Sequence, residues 1–192
     1  MRGKSRPMKS MRRTLAVFTL AATVGLQAFA ESDCRSKLDK ASQTELGLTV
    51  DKFDQGQDAG WRGLAKAGCN AEAATLIERY LVGYESNLRT LKWHQMQLLA
   101  VTNQYGPAIV AAEQSINPEQ ETQHPKFQWN AYVRATMAFL RKDRKDFDVQ
   151  AKLLKEAVEL EPHNKVNFDI VEGFSICFDK PYKEAYSCRK TQ

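Results

Sequence analysis

The sequence predicts an all-α protein built from about four antiparallel helical hairpins. Three observations carry this. Apolar residues recur at three- and four-residue intervals from Asp58 onward, no alternating β-type run is longer than a few residues, and the prolines fall between the apolar stripes. No glycine occurs from Pro107 to Glu172, so nothing in that stretch lowers helix propensity strongly except Pro118, Pro125 and Pro162.

The chain begins with a segment of a different kind. Arg2, Lys4, Arg6, Lys9, Arg12 and Arg13 carry six positive charges with no acid among them, and an apolar run follows from Leu15 to Leu26. Ala28-Phe29-Ala30 then places small residues where a signal peptidase reads. Residues 1–30 are therefore expected to be a signal peptide removed on export, with Glu31 the new N-terminus and Met11 (or Met8) an alternative start. Twelve apolar residues make about 18 Å of helix against a hydrocarbon core of about 30 Å, too short for a stable membrane anchor. Cys34 follows Glu-Ser-Asp, which is not a lipidation site. A periplasmic location is expected.

Export changes the charge argument. The chain has 28 basic and 23 acidic side chains, and the first thirty residues hold six of the basic ones, so residues 31–192 carry 22 against 23. No basic excess remains to build a nucleic-acid face. The run Arg141, Lys142, Arg144, Lys145 is interrupted by Asp143 and Asp146 and reads as a solvated turn. All four cysteines lie beyond the cut, and an even count in an exported chain implies disulfides. Four cysteines allow three pairings. Locality favours Cys34–Cys69 and Cys177–Cys188.

Residues 31–57 are polar, show little periodicity and are expected to form an extended lead-in; 58–192 is the helical domain. A first helix ends at Gly68, and Asn70 is a candidate N-cap for the second. The second stripe is Ala73, Leu76, Ile77, Tyr80, Leu81 and Tyr84; the third is Leu88, Leu91, Gln95, Leu98 and Leu99. Pro107 marks another start, and Asn117 to Lys126 is the one long loop. Tyr132 to Leu140 shows a broad apolar face, followed by the Phe147, Ala151, Leu154, Ala157 stripe and the Val166, Ile170, Val171, Phe174 stripe. Pro181 begins the last helix. About eight amphipathic helices result.

Several second helices open with an alanine in a similar frame: Ala73, Ala108, Ala151 and Ala185. Two of the intervals are 34 and 35 residues, and the third is longer by about the length of the 117–126 loop. With Tyr105-x-x-Ala108, Tyr182-x-x-Ala185, the run Glu156 to Pro162, and Gly68 and Gly173, the chain resembles a degenerate tetratricopeptide-type helical-repeat protein over roughly 58–188. Trp61, Met96 and Phe139 stand where that family is small. The stretches Trp129 to Leu140 and Pro181 to Cys188 are also similar to exported proteobacterial proteins, a resemblance that implies no function. The repeat resemblance implies a short solenoid of stacked hairpins whose first helices line a concave groove.

No catalytic set is legible. There is no GxSxG, no phosphate-cradling glycine loop and no HExxH; His94, His124 and His163 are far apart, and Glu113, Glu119 and Glu121 with His124 fit no metal-loop spacing. No cofactor or metal is implied. The groove that the resemblance implies would be lined by Asp58 and Arg62, Trp93 and Gln97, Asn130 and Arg134, and Asn167. Trp and Arg at its centre suit an extended peptide. The expected function is a non-catalytic periplasmic module that binds another protein or peptide. An immunity-type toxin inhibitor is the alternative, and an enzyme of unfamiliar type is the remaining class.

Overall fold

The computed structural model describes residues 21–83 and 88–188. Among these residues the regular structure is entirely helical, with no strand: α1 (Ala21–Thr44), α2 (Val50–Gln55), α3 (Gly60–Lys66), α4 (Asn70–Val82), α5 (Arg89–Val101), α6 (Tyr105–Ser115), α7 (Gln120–Gln123), α8 (Trp129–Arg141), α9 (Arg144–Leu160), α10 (Asn164–Ile176) and α11 (Tyr182–Ala185). The all-α class is as the sequence predicts. Residues 1–20 of the expected signal segment, Tyr84 and residues 189–192 lie outside the described residues. The expected cut after Ala30 falls within α1, and Cys34–Gln192 forms one compact unit.

Consecutive helices pack on one another from α2 to α6 and from α8 to α10, with α6 and α10 also against α8. Two apolar cores result. The first gathers Leu38 of α1, Phe53 of α2, Trp61 and Leu64 of α3, Ala73, Leu76, Ile77 and Tyr80 of α4, and Leu91 and Leu98 of α5. The second gathers Trp93, Met96 and Ala100 of α5 with Ala108 of α6, most of α8, Phe147 and Leu154 of α9, Phe174 of α10 and Tyr182 of α11. Helix α5 thus gives one face to each core. Its Leu91 and Leu98 are one heptad apart, while Trp93, Met96 and Ala100 occupy the opposite side.

Residues 31–57 depart from expectation. Rather than an extended lead-in, Cys34 to Thr44 and Val50 to Gln55 are helical and contribute to the first core. The reason is a small number of well-placed groups. Phe53 is fully buried and stacks on Tyr80 at 3.7 Å between ring centroids, and the Tyr80 hydroxyl donates to the Leu48 carbonyl at 2.8 Å. Gly60 lets α3 approach α2: its φ is +57°, and a Cβ there would lie 2.1 Å from the Phe53 carbonyl oxygen. Asn70 is also displaced from its expected role. It is the first residue of α4, and Cys69 takes the cap position.

Both favoured disulfides are present. Cys34–Cys69 ties α1 to the start of α4, and Cys177–Cys188 ties the end of α10 to the segment after α11. These are bonds of an oxidising, exported environment. No described helix is long and apolar enough to cross a membrane.

The 117–126 loop contains the single turn α7 and is held by buried amides. Asn130 accepts from the Asn117 N–H at 2.9 Å and donates to the Asn117 carbonyl at 2.8 Å, while Gln120 accepts from the Asn130 N–H. Asn164, fully buried, accepts from the Gln128 N–H and donates to the Lys126 and Ala157 carbonyls, each at 2.9 Å. Between α8 and α9, Lys142 is in the left-handed region at φ 57°, and the Asp143 carboxylate caps α9 by accepting from the Asp146 N–H at 3.0 Å.

Candidate functional site

The seven residues expected to line one groove do not meet in one. Trp93 is only 5 % exposed and packs in the second core, its ring 5.0 Å from Trp129 and 4.8 Å from Tyr132. Asn130 is buried as a clamp on the 117–126 loop. Those two placements correct the expectation of a central Trp93–Asn130 contact surface: α5 and α8 are each covered on more than one side, so the face opposite the apolar stripe is not free. Arg134 is exposed, alone among residues 130–140. Asp58 is exposed and pairs with Lys66 at 2.6 Å. Gln97 is half-buried beside Tyr182 and Tyr186, and Asn167 is half-buried on α10. Arg62 lies over the Trp61 ring at 4.2 Å and donates to the Asp54 carbonyl.

A surface trough lies elsewhere. It runs across α1, α4, α5 and α6 with a volume of about 680 Å³. Leu38, Ala74, Leu99 and Ala111 form an apolar floor, and the rim carries Pro107, Gln114 and Val110, which is 53 % exposed. Its walls hold charges of both signs. Arg35, Lys92, Glu72 and Glu78 line the trough, and among the described residues these four make no side-chain hydrogen bond or ion pair. Arg79 on the same wall donates to the Ser42 hydroxyl at 2.7 Å. None of the seven expected groove residues lines it.

A second polar feature unites the first core with α5. Asp54, 6 % exposed, accepts at one oxygen from the Trp61 indole N–H at 3.1 Å and from His94 Nδ1 at 2.8 Å, and at the other from Gln55 at 2.7 Å. Burial alone would raise the Asp54 pKa. The His94 hydrogen bond and charge, with the Trp61 and Gln55 donors, outweigh burial and hold it below the ordinary carboxylate value. An ionised Asp54 can only accept, so Nδ1 of His94 carries the hydrogen and Nε2 is left for another partner. The two residues are forty positions apart, and Asp54 sits in the stretch the sequence shows as polar lead-in, so no motif marks the pair.

Among the described residues, Cys34, Cys69 and Glu72 have ligand atoms close enough together to hold a metal, but both sulfurs are committed to the disulfide.

What the described residues define is a class: an all-helical, disulfide-stapled unit with a mixed-charge trough and a buried carboxylate bonded to a half-buried imidazole. Comparison with known proteins finds no matching family model, no similar curated protein and no similar solved structure.

Proposed function

We propose that this chain is an exported, non-catalytic module that holds an extended segment of another polypeptide. The single observation behind this reading is the trough over α4, α5 and α6, with its apolar floor and its uncommitted charges Arg35, Lys92, Glu72 and Glu78. A floor of Leu38, Ala74, Leu99 and Ala111 offers contact area that any alternating apolar side chain can use, and walls of both signs suit a backbone-extended ligand with mixed charge. The interval of 34–35 residues between Ala73 and Ala108, and between Ala151 and Ala185, is the repeat spacing on which a short stack of hairpins rests. Helix α11 packs against α5. The two disulfides support a place outside the reducing cytoplasm, and the segment 1–30 supports removal of the signal on export.

The test is site-specific cross-linking from the trough. A photoreactive residue at Gln114 should capture a discrete polypeptide from periplasmic extract, and Val110→Asp or Lys92→Glu should abolish that capture without lowering the melting temperature by more than a few degrees. Equal capture from a photoreactive residue at Arg134, an exposed position of α8 outside the trough lining, would mean non-specific adhesion and would end the trough reading.

A further inference from the structure

A separate cavity, independent of the trough reading, lies between the N-terminal end of α5 and the segment 117–129. Its volume is about 390 Å³, within the range of small-molecule pockets. Three aromatic side chains, Trp93, Phe127 and Trp129, form its apolar wall. The Arg89 guanidinium, the imidazoles of His94 and His124 and the amides of Asn117 and Gln120 also line it, and among the described residues no carboxylate does.

Each wall is fixed by something already described. Trp93 and Trp129 meet edge to face at 5.0 Å, and the Trp129 indole N–H donates to the Ser115 carbonyl at 2.9 Å. His94 is held from behind, its Nδ1 on Asp54 and its ring tilted against Trp61 at 5.0 Å, so Nε2 is the nitrogen available to the cavity. Arg89 is half-buried and, among the described residues, makes no ion pair or hydrogen bond with its side chain. A guanidinium at the edge of a cavity with no protein partner has a carboxylate, taken two-pronged, as its natural complement. Aromatic rings in edge-to-face array accept a further ring in the same manner.

The geometry points to a ligand that joins these two requirements: a carboxylate attached through a short linker to an aromatic ring. The ring enters among Trp93, Phe127 and Trp129. The carboxylate meets Arg89, with the two imidazoles of His94 and His124 beside it. The same chemistry has two sources, a free aryl carboxylic acid or the C-terminal aromatic residue of a polypeptide, and the experiment separates them.

Calorimetric titration of the disulfide-bonded chain would use 3-phenylpropionate, 3-phenylpropanol as its uncharged counterpart, and a short peptide ending in Phe with either a free carboxylate or an amide. The acid or the free-carboxylate peptide should bind saturably with a stoichiometry of one, and the alcohol and the amide at least tenfold more weakly. Tighter binding by the peptide identifies a polypeptide terminus as the source; tighter binding by the acid identifies a free metabolite. Arg89→Gln should remove that tenfold preference while the circular-dichroism melting curve stays in place. Should Arg89→Gln melt early, Arg89→Lys, which keeps the charge and loses the fork, and His124→Ala, at an exposed position, read out the same preference. Absence of binding by both carboxylates at millimolar concentration overturns the assignment. So does equal binding by acid and alcohol, or a preference unchanged in every one of the three variants.

Discussion

Asp54 accepts the His94 Nδ1 hydrogen at 2.8 Å across forty residues of sequence, and this contact joins α2 to α5 through the interior. Asp54 is buried and its pKa is held below the ordinary value, so its contribution to stability has a defined sign. A carboxylate depressed in the folded state stabilises fully above its unfolded value of about 3.9 and loses that stabilisation as pH falls through the folded value. The melting temperature of the chain should therefore fall steeply below about pH 4. Asp54→Asn should cost about 1–3 kcal/mol at neutral pH and flatten that acid limb, as followed by circular-dichroism melting from pH 7 to pH 2.5. An acid limb of the same steepness in Asp54→Asn would assign it to other carboxylates.

The Phe53–Tyr80 stack should dominate the stability of the first core. Phe53→Ala is expected to cost about 3–5 kcal/mol, because the ring is fully buried and stacked at 3.7 Å. Tyr80→Phe keeps the stack and removes the hydroxyl bond to Leu48, at about 1 kcal/mol. Urea denaturation of the two variants gives the ratio directly, and comparable losses would show that the stack itself adds little.

Two glycines should respond in opposite directions to alanine. Gly60→Ala meets both a positive φ and the Phe53 carbonyl, and should destabilise by more than 2 kcal/mol, an estimate of about twice the ordinary strain at a left-handed residue. Gly47 lies in the turn after α1, has no positive φ and has nothing within 4 Å of an added Cβ, so Gly47→Ala should stabilise by about 0.4–1 kcal/mol. Thermal melting of the pair checks the sign of each.

Trp93 and Arg134 separate packing from surface. Trp93→Ala should cost about 3–5 kcal/mol through the cavity it leaves in the second core. Arg134→Ala should change stability by less than about 0.5 kcal/mol, as an exposed position away from caps and networks does. Chemical denaturation curves of the two proteins, measured side by side, test this.

Loss of the Cys177–Cys188 bond should cost about 2–3 kcal/mol, the chain-entropy estimate for a short loop. Cys177→Ser with Cys188→Ser, compared with the parent by guanidinium denaturation, measures it without reducing Cys34–Cys69.

The sequence reveals helices well where one face is buried. The stripes through Ala73 to Leu81 and Phe147 to Ala157 mark α4 and α9, and the disulfide pairing follows from locality. It reveals less where a helix is buried on two sides. In α5 the legible stripe Leu91, Leu98 belongs to one core only, and Trp93 on the opposite face reads as free for a groove although the second core covers it. Asn130 has the same history: a polar residue at an apparently open position, turned inward by the backbone groups of Asn117. The helices of 34–55 escape notice because their periodicity is short: Leu38 and Phe53 are the buried apolar residues, with Cys34, Ala41, Leu46, Leu48 and Val50 packed partly buried beside them. No motif marks the trough: α4 and α6 are second helices, which the repeat resemblance places away from a groove, and α1 lies outside its 58–188 range.

The position of α5 between the two cores has a kinetic consequence. A subdomain can open by itself only if the rest of the molecule keeps its own interior, and neither half here does so once α5 leaves. Local fluctuations that release the first core expose Leu91 and Leu98; those that release the second expose Trp93 and Met96; and both carry the same backbone. Amide protons in the middle of α5 should accordingly exchange with solvent only in molecules that unfold completely, making this helix the last to lose protection in deuterium oxide.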